Sequence, residues 1–204
     1  MSFQSVHDLL VPPGIVRKQK FWDFFDGDSL RSWWNVNSTG SNGMVDTVDE
    51  GYFLTTGTAD NNRESIDHND INHYSATGAT CIFVMRNTET TLRRFFAGFK
   101  DSESFGHYAV IDDDTDNGSG NVELVSRDGS STGAVDLGLS LDETFHKWQL
   151  NFRTSSVLAF RDNVLSGLAT SNLPTTAQQL NAAAQTRTTA ARTAHIRYFE
   201  AFNT

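Results

Sequence analysis

Apolar residues in this chain come in short runs, such as Cys81-Ile82-Phe83-Val84-Met85, and turn-forming residues separate them. This punctuation constrains the fold more than any single motif. Strand-length segments recur at Phe21–Phe25, Gly51–Thr56, Thr80–Arg86, Arg94–Phe99, Gly106–Ile111 and Asn121–Ser126. They continue at Phe145–Phe152, Ser156–Arg161 and Ala194–Phe202, each about five to nine residues long. Gly, Asn, Asp, Ser and Thr fill most of the gaps. Short strands at such spacing predict an all-β sandwich or barrel. A chain of 204 residues suits one such domain, because sandwiches often run to about 200–250 residues. A membrane-spanning helix needs about 20 consecutive apolar residues, and no run approaches that length.

Two stretches interrupt the pattern. Asn61-Asn62-Arg63-Glu64 and Asp67-His68-Asn69-Asp70 predict long polar loops. Residues 174–192, rich in Ala, Gln and Thr, predict a surface loop or one short helix before the final strand. The N-terminus also stands apart. Val11-Pro12-Pro13-Gly14 breaks helix and strand alike, because proline fixes φ and removes a backbone donor. Residues 1–20 are therefore expected to form an N-terminal arm, extended over residues 1–16, ahead of a domain at 21–204. Val6, Leu9, Leu10, Val11 and Ile15 are apolar and need a surface to cover. Either the arm straps its own domain or it docks on a neighbouring subunit. Met1–Leu10 has no basic start and no long apolar stretch, so no secretory signal peptide is expected.

Charge and cysteine content narrow the function. The formal net charge is −9, which argues against a duplex nucleic-acid partner, since phosphate binding needs clustered Lys and Arg. Arg17-Lys18-Gln19-Lys20 is the nearest candidate and is short. The lone cysteine, Cys81, sits inside an apolar run and reads as a buried hydrophobe. Without an internal disulfide the fold rests on its core, which suits synthesis in a reducing cytoplasm.

Several segments carry a family resemblance. Phe21–Trp34 (FWDFFDGDSLRSWW) resembles the opening strand of concanavalin A-like lectin/glucanase jelly rolls, with an aromatic strand, an Asp-Gly turn, a Leu and a Trp. Thr144–Phe152 is similar to the strand before the family's back-sheet hairpin, and Val157–Val164 to the hairpin itself, ending in Asp162-Asn163. Asn172-Leu173-Pro174 falls where related domains turn, and Ala194–Ala201 resembles the closing strand. The resemblance covers about residues 20–202 and implies an antiparallel jelly-roll β-sandwich. The layout, with its Val-Pro-Pro-Gly arm, also resembles small structural proteins of tailed bacteriophages.

The family's glucanases place carboxylates on one strand in a Glu-x-Asp-x-x-Glu pattern, so that one protonates the leaving group and another attacks. No segment here matches it. Asp46-Thr47-Val48-Asp49-Glu50 has the wrong spacing, Asp101-Ser102-Glu103 reads as a strand-end turn, and Asp142-Glu143 precedes a strand. No Gly-x-Ser-x-Gly elbow is present. His68 and His73 share a polar stretch without an evident third metal ligand. Asp112, Asp114, Asp116 and Glu123 fall at positions 1, 3, 5 and 12 of an EF-hand-like calcium loop. Asn117 replaces the usual glycine at position 6, however, and a solvated turn between strands is the competing reading.

Trp33-Trp34 is the other candidate site. Adjacent strand residues point to opposite faces, so if this segment is strand one ring faces outward, free to stack on a sugar or a subunit. The competing reading covers both rings with the arm. The resemblances and the missing carboxylates imply a non-catalytic virion structural protein, a capsid decoration or cement protein. It would be made in the host cytoplasm, carried on the virion surface, homo-oligomeric and bound to other virion subunits. The alternative is a carbohydrate- or receptor-binding lectin-like domain of a tail or surface fibre.

Overall fold

The computed structural model describes residues 20–26, 29–39, 43–47, 51–68, 73–89, 91–101, 106–116, 119–140 and 142–203. Val6, Leu9, Leu10, Val11 and Ile15 lie outside the described residues. Fifteen strands and no helix occur among the described residues. In chain order they begin with β1 (Lys20–Asp23), β2 (Asn35–Thr39), β3 (Gly43–Thr47), β4 (Gly51–Thr55) and β5 (Arg63–Asp67). The middle of the chain gives β6 (Ala79–Asn87), β7 (Arg93–Lys100), β8 (His107–Asp114), β9 (Asn121–Asp128) and β10 (Thr132–Ser140). The last are β11 (His146–Arg153), β12 (Ser156–Arg161), β13 (Val164–Ala169), β14 (Gln179–Thr186) and β15 (Thr193–Asn203).

These strands form two antiparallel sheets packed as a sandwich. The first runs β13-β12-β11-β6-β15-β4-β3, and β1 also pairs with β15. The eleven-residue β15 holds both partners along one side: Thr193–Ile196 faces β4 and Phe199–Phe202 faces β1. The second sheet runs β10-β9-β8-β7-β14-β5-β2.

Alternation fills the space between the sheets. Cys81, Phe83 and Met85 of β6 face Phe95, Ala97 and Phe99 of β7 within one core, joined by Leu54, Leu150 and Phe199. Burying a large apolar side chain contributes about 1.5–3 kcal/mol, so this layer carries most of the stability. Cys81 is buried within it, and burial pushes its thiol pKa well up. Turn chemistry sets register at the β12–β13 hairpin. Asp162 and Asn163 both have positive φ, and Arg161 pairs directly with Val164. This is the two-residue connection whose backbone twist matches the flanking strands.

The structure corrects two loop expectations. Arg63–Asp67, read as part of a polar loop, is β5, with Ile66 in the core. Across the sheet, Asn37 donates to Asp67, Ser38 to Glu64, and Ser65 to the Asn37 carbonyl. Within residues 174–192, Gln179–Thr186 is β14, hydrogen-bonded between β7 and β5. Leu180, Ala182 and Ala184 supply its core face. Alanine and glutamine have weak strand propensity, but packing on both sides overrides it.

Candidate functional site

Register builds one distinctive surface on the second sheet, on the face turned away from the core. β7 sends Phe95, Ala97 and Phe99 inward, so Arg94, Phe96, Gly98 and Lys100 belong to its other face. The pairings then align Val125, Val110, Gly98, Asn181 and Asp67 in one transverse row across five strands. Flanking rows carry Tyr108, Lys100 and Gln179 on one side, and Phe96, Ala183 and Ser65 on the other.

The polar corner of this face is buried. Lys100 Nζ donates to Asp67 Oδ2 at 2.8 Å, and the two side chains are only 1% and 0% exposed. Asn37 Nδ2 donates to the same oxygen at 2.7 Å. Asp67 Oδ1 has no hydrogen-bond partner. Asn181, 0% exposed, has none for either Oδ1 or Nδ2. A buried polar group without a partner costs about 1–3 kcal/mol, and three such atoms belong here to residues paired on neighbouring strands. Gly98 leaves its position in the row bare. Its φ is +150°, and a Cβ there would lie 2.5 Å from the Ala109 carbonyl oxygen and 2.9 Å from Leu150 Cδ1.

Beside this corner, Phe96, Val110, Val125 and Ala183 form a separate buried apolar cluster with Tyr108 packed against it. Beyond it lies an ion-pair ladder. Arg94 grips Asp112 through Nε at 2.8 Å and Nη2 at 2.6 Å, and its guanidinium lies over the Phe96 ring. Arg187 grips both oxygens of Asp114. Burial pushes the Asp112 carboxyl up, and the Arg94 contact opposes it.

Asp112, Asp114, Asp116 and Glu123, the calcium-loop candidates, lie among or next to these contacts. Asp112 and Asp114 lie within β8, opened out along a strand instead of curled around an ion, with arginines on their oxygens. Glu123 lies on β9 opposite Asp112 and accepts from Ser119 Oγ at 2.9 Å, while Asp116 lies 3.7 Å from Arg187. Among the described residues no group of three or more His, Cys, Asp or Glu side chains is placed to hold a metal ion.

The tryptophan pair sits in a turn before β2, so strand alternation does not govern it. Trp34 is 5% exposed, and its Nε1 donates to Asp23 Oδ2 at 2.9 Å. Trp33 is 39% exposed, and its Nε1 reaches the same oxygen at 3.2 Å. Asp23 Oδ1 accepts from the Phe25 amide at 2.9 Å. Asp23 thus ties the strand, the turn and both rings together. The Trp33 ring packs edge-on against Phe21.

A second polar cluster lines a small pocket bounded by Met85, Phe95, Asp113, Asp142, His146 and Trp148. His146 Nδ1 lies 2.7 Å from Asp162 Oδ2, and Nε2 lies 3.0 Å from Asp142 Oδ2. Behind it Arg93, fully buried, meets Asp113 at 2.5 Å. Burial pushes the Asp113 carboxyl up to about 6 against the pull of Arg93.

Lys100, Asp67 and Asn181 had no sequence signal as a set. They come from three strands far apart in the chain. The one local trace is Lys100 closing the apolar alternation of Arg94–Phe99.

Two antiparallel sheets in this order define a concanavalin A-like jelly-roll sandwich. No family model matches the sequence, and no curated protein matches it either. Solved structures do resemble it. A Bacillus licheniformis beta-glucanase matches with TM-score 0.64 at 12% identity, over 91% of this chain and 98% of its own. A prokaryotic beta-1,3-1,4-glucanase (lichenase) derived from a mouse hindgut metagenome gives TM-score 0.68 at 12% identity, over 90% and 98%. The carbohydrate recognition domain of Emp47p gives 0.60 at 12% identity, over 90% and 94%. At these identities the likeness establishes the fold.

Proposed function

We propose that this chain is a lectin-like domain that binds carbohydrate on the outer face of the second sheet. The observation that carries this reading is Asn181, buried with both amide atoms unpartnered beside the unpartnered Asp67 Oδ1. A sugar hydroxyl both donates and accepts, so one saccharide ring meets an amide and a carboxylate together. Tyr108, half-buried beside the apolar cluster, supplies the contact that a sugar's carbon face takes from an aromatic ring. The carbohydrate-recognition domain among the structural neighbours supports the same reading.

A glycan array probed with the full chain tests this, alongside Asn181→Ala and a Trp33→Ala control. Binding that falls at least about tenfold in Asn181→Ala, an energy of about 1.4 kcal/mol, is the expected result. Trp33→Ala should bind as the parent does. Binding lost only in Trp33→Ala, or unchanged in Asn181→Ala, overturns the placement of the site.

A second reading has its own observation. Val164, Leu165 and Leu168 are exposed along β13, the edge of the first sheet. An exposed apolar edge strand suits a protein partner, which is the contact a capsid decoration protein needs.

A further inference from the structure

We propose that β13 pairs with the β13 of a second copy of this chain, antiparallel about a twofold axis. The inference rests on the protein-partner reading of β13 and commits that reading to one partner.

The first observation is an open, unguarded edge. Among the described residues β13 pairs with β12 alone. Its other side therefore offers backbone N–H and C=O groups to a further strand. Sheet edges are commonly blunted by charge or proline, and Val164–Ala169 (VLSGLA) contains neither. The adjoining edge of the second sheet, β10, does carry a charge, Asp136, followed by a register shift.

The second observation is an apolar patch that one bulge creates. Leu168 pairs with Leu158 and Leu165 with Phe160, and the shift between Ala159 and Phe160 leaves Ser166 as the extra residue. Without that residue, positions 165 and 168 would fall on opposite faces. Val157 and Ala159 belong to the core, so Leu158, Phe160, Leu165 and Leu168 share the outer face. Leu165 and Leu168 are 55% and 47% exposed there. On the inner side a Cβ at Gly167 would lie 2.2 Å from Leu137 Cδ2. β10 thus covers the inner side, and the outer face and the strand edge stay open.

The third observation is charge. The chain carries a formal net charge of −9, so two copies repel over most of their surfaces. The stretch from Asn163 to Leu173 has no charged residue. An uncharged apolar patch is complementary to itself, which a twofold contact requires. Asp162, half-exposed at the turn before Val164, selects the orientation. Antiparallel pairing puts the two Asp162 carboxylates at opposite ends of the six-residue strands, about 20 Å apart. That exceeds the screening distance of about 8–10 Å. Parallel pairing would set them side by side. The twofold then joins the first sheets of both copies into one continuous sheet, with the four apolar residues of each meeting across the axis.

Sedimentation equilibrium of the full chain from about 1 μM to about 1 mM tests this, a range that spans weak to moderate Kd values. The mass should rise from that of one chain to that of two. A variant with Leu165→Glu and Leu168→Glu, and another with Leu165→Lys and Leu168→Lys, should each stay monomeric. Both should unfold at the parent's urea midpoint, because the substituted side chains are exposed. Mixing the two variants should restore the dimer, since opposite charges then meet across the axis. Val36→Lys, on the edge strand β2 of the second sheet, should dimerise as the parent does.

A dimer that survives in either charged variant overturns the proposal. So does a mixture that stays monomeric, which would place the contact between β13 and some other surface. A parent that is monomeric throughout also overturns it. In that event, immobilised parent and Glu variant are each exposed to a cell lysate. A protein retained by the parent alone leaves the partner reading standing without self-pairing, and equal retention removes both.

Discussion

Replacing Lys100 with methionine keeps an unbranched stem of similar length and removes the ammonium. What remains is the Asp67 carboxylate at 0% exposure, with Oδ1 unpartnered and the Asn37 amide on Oδ2. At 2.8 Å the lost attraction is about 6 kcal/mol at an effective dielectric of about 20. Relaxation and water entry reduce the net cost, and breaking a buried pair by removing one partner typically costs about 3–5 kcal/mol. In a domain of this size that lowers the melting temperature by roughly 6–20 °C. The assay is urea and thermal unfolding of Lys100→Met, Asp67→Asn and the double variant. The double variant should be more stable than the two single losses sum to, because no charge is then stranded. A Lys100→Met cost below about 1 kcal/mol would refute the reasoning, as would strict additivity in the cycle.

Acid stability should show two opposed contributions. Burial, helped by His73, lowers His68 from 6.5 to about 4, so the fold binds fewer protons and loses stability as pH falls from 6.5 towards 4. Asp113 is raised from 3.8 to about 6, so its contribution runs the other way and stability falls as pH rises through that window. Urea midpoints between pH 4 and 7 should therefore fall less with acid in His68→Gln than in the parent, and more in Asp113→Asn; the opposite ordering would refute the assignment. Trp34→Phe should cost about 1–3 kcal/mol by stripping a donor from buried Asp23, and Trp33→Phe should cost less, as urea unfolding will show. Chelator should leave the melting midpoint unchanged, since arginines hold Asp112 and Asp114; stabilisation by added calcium would refute this.

The sandwich was legible where local rules coincide. Cys81–Met85 alternates between core and surface, and Asp162-Asn163 supplies the positive φ that a two-residue hairpin requires. Legibility failed where neighbours decide. Ala182–Ala184 has no strand preference of its own and becomes β14 because β7 and β5 enclose it. The acidic run at Asp112–Asp116 has calcium-loop spacing, yet its conformation follows from pairing of β8 with β7, which brings Arg94 to Asp112 and Asp114. The candidate site was the least visible part. Asp67, Lys100 and Asn181 become neighbours only because β14 enters between two strands that precede it by many residues.

That late insertion also governs how the protein is made. β14 joins β7 to β5 in one sheet, and β15 joins β6 to β4 in the other. Both keystones lie within residues 179–203. A nascent chain still lacking them holds two half-sheets per layer, each with an open edge where the missing strand will sit. Such edges recruit other strands. Folding therefore closes after translation of nearly the whole domain, and the interval before closure is when the chain is most exposed to misassembly. A ribosome pausing upstream of β14 would lengthen that interval, and a premature stop there would leave each sheet in two unjoined halves.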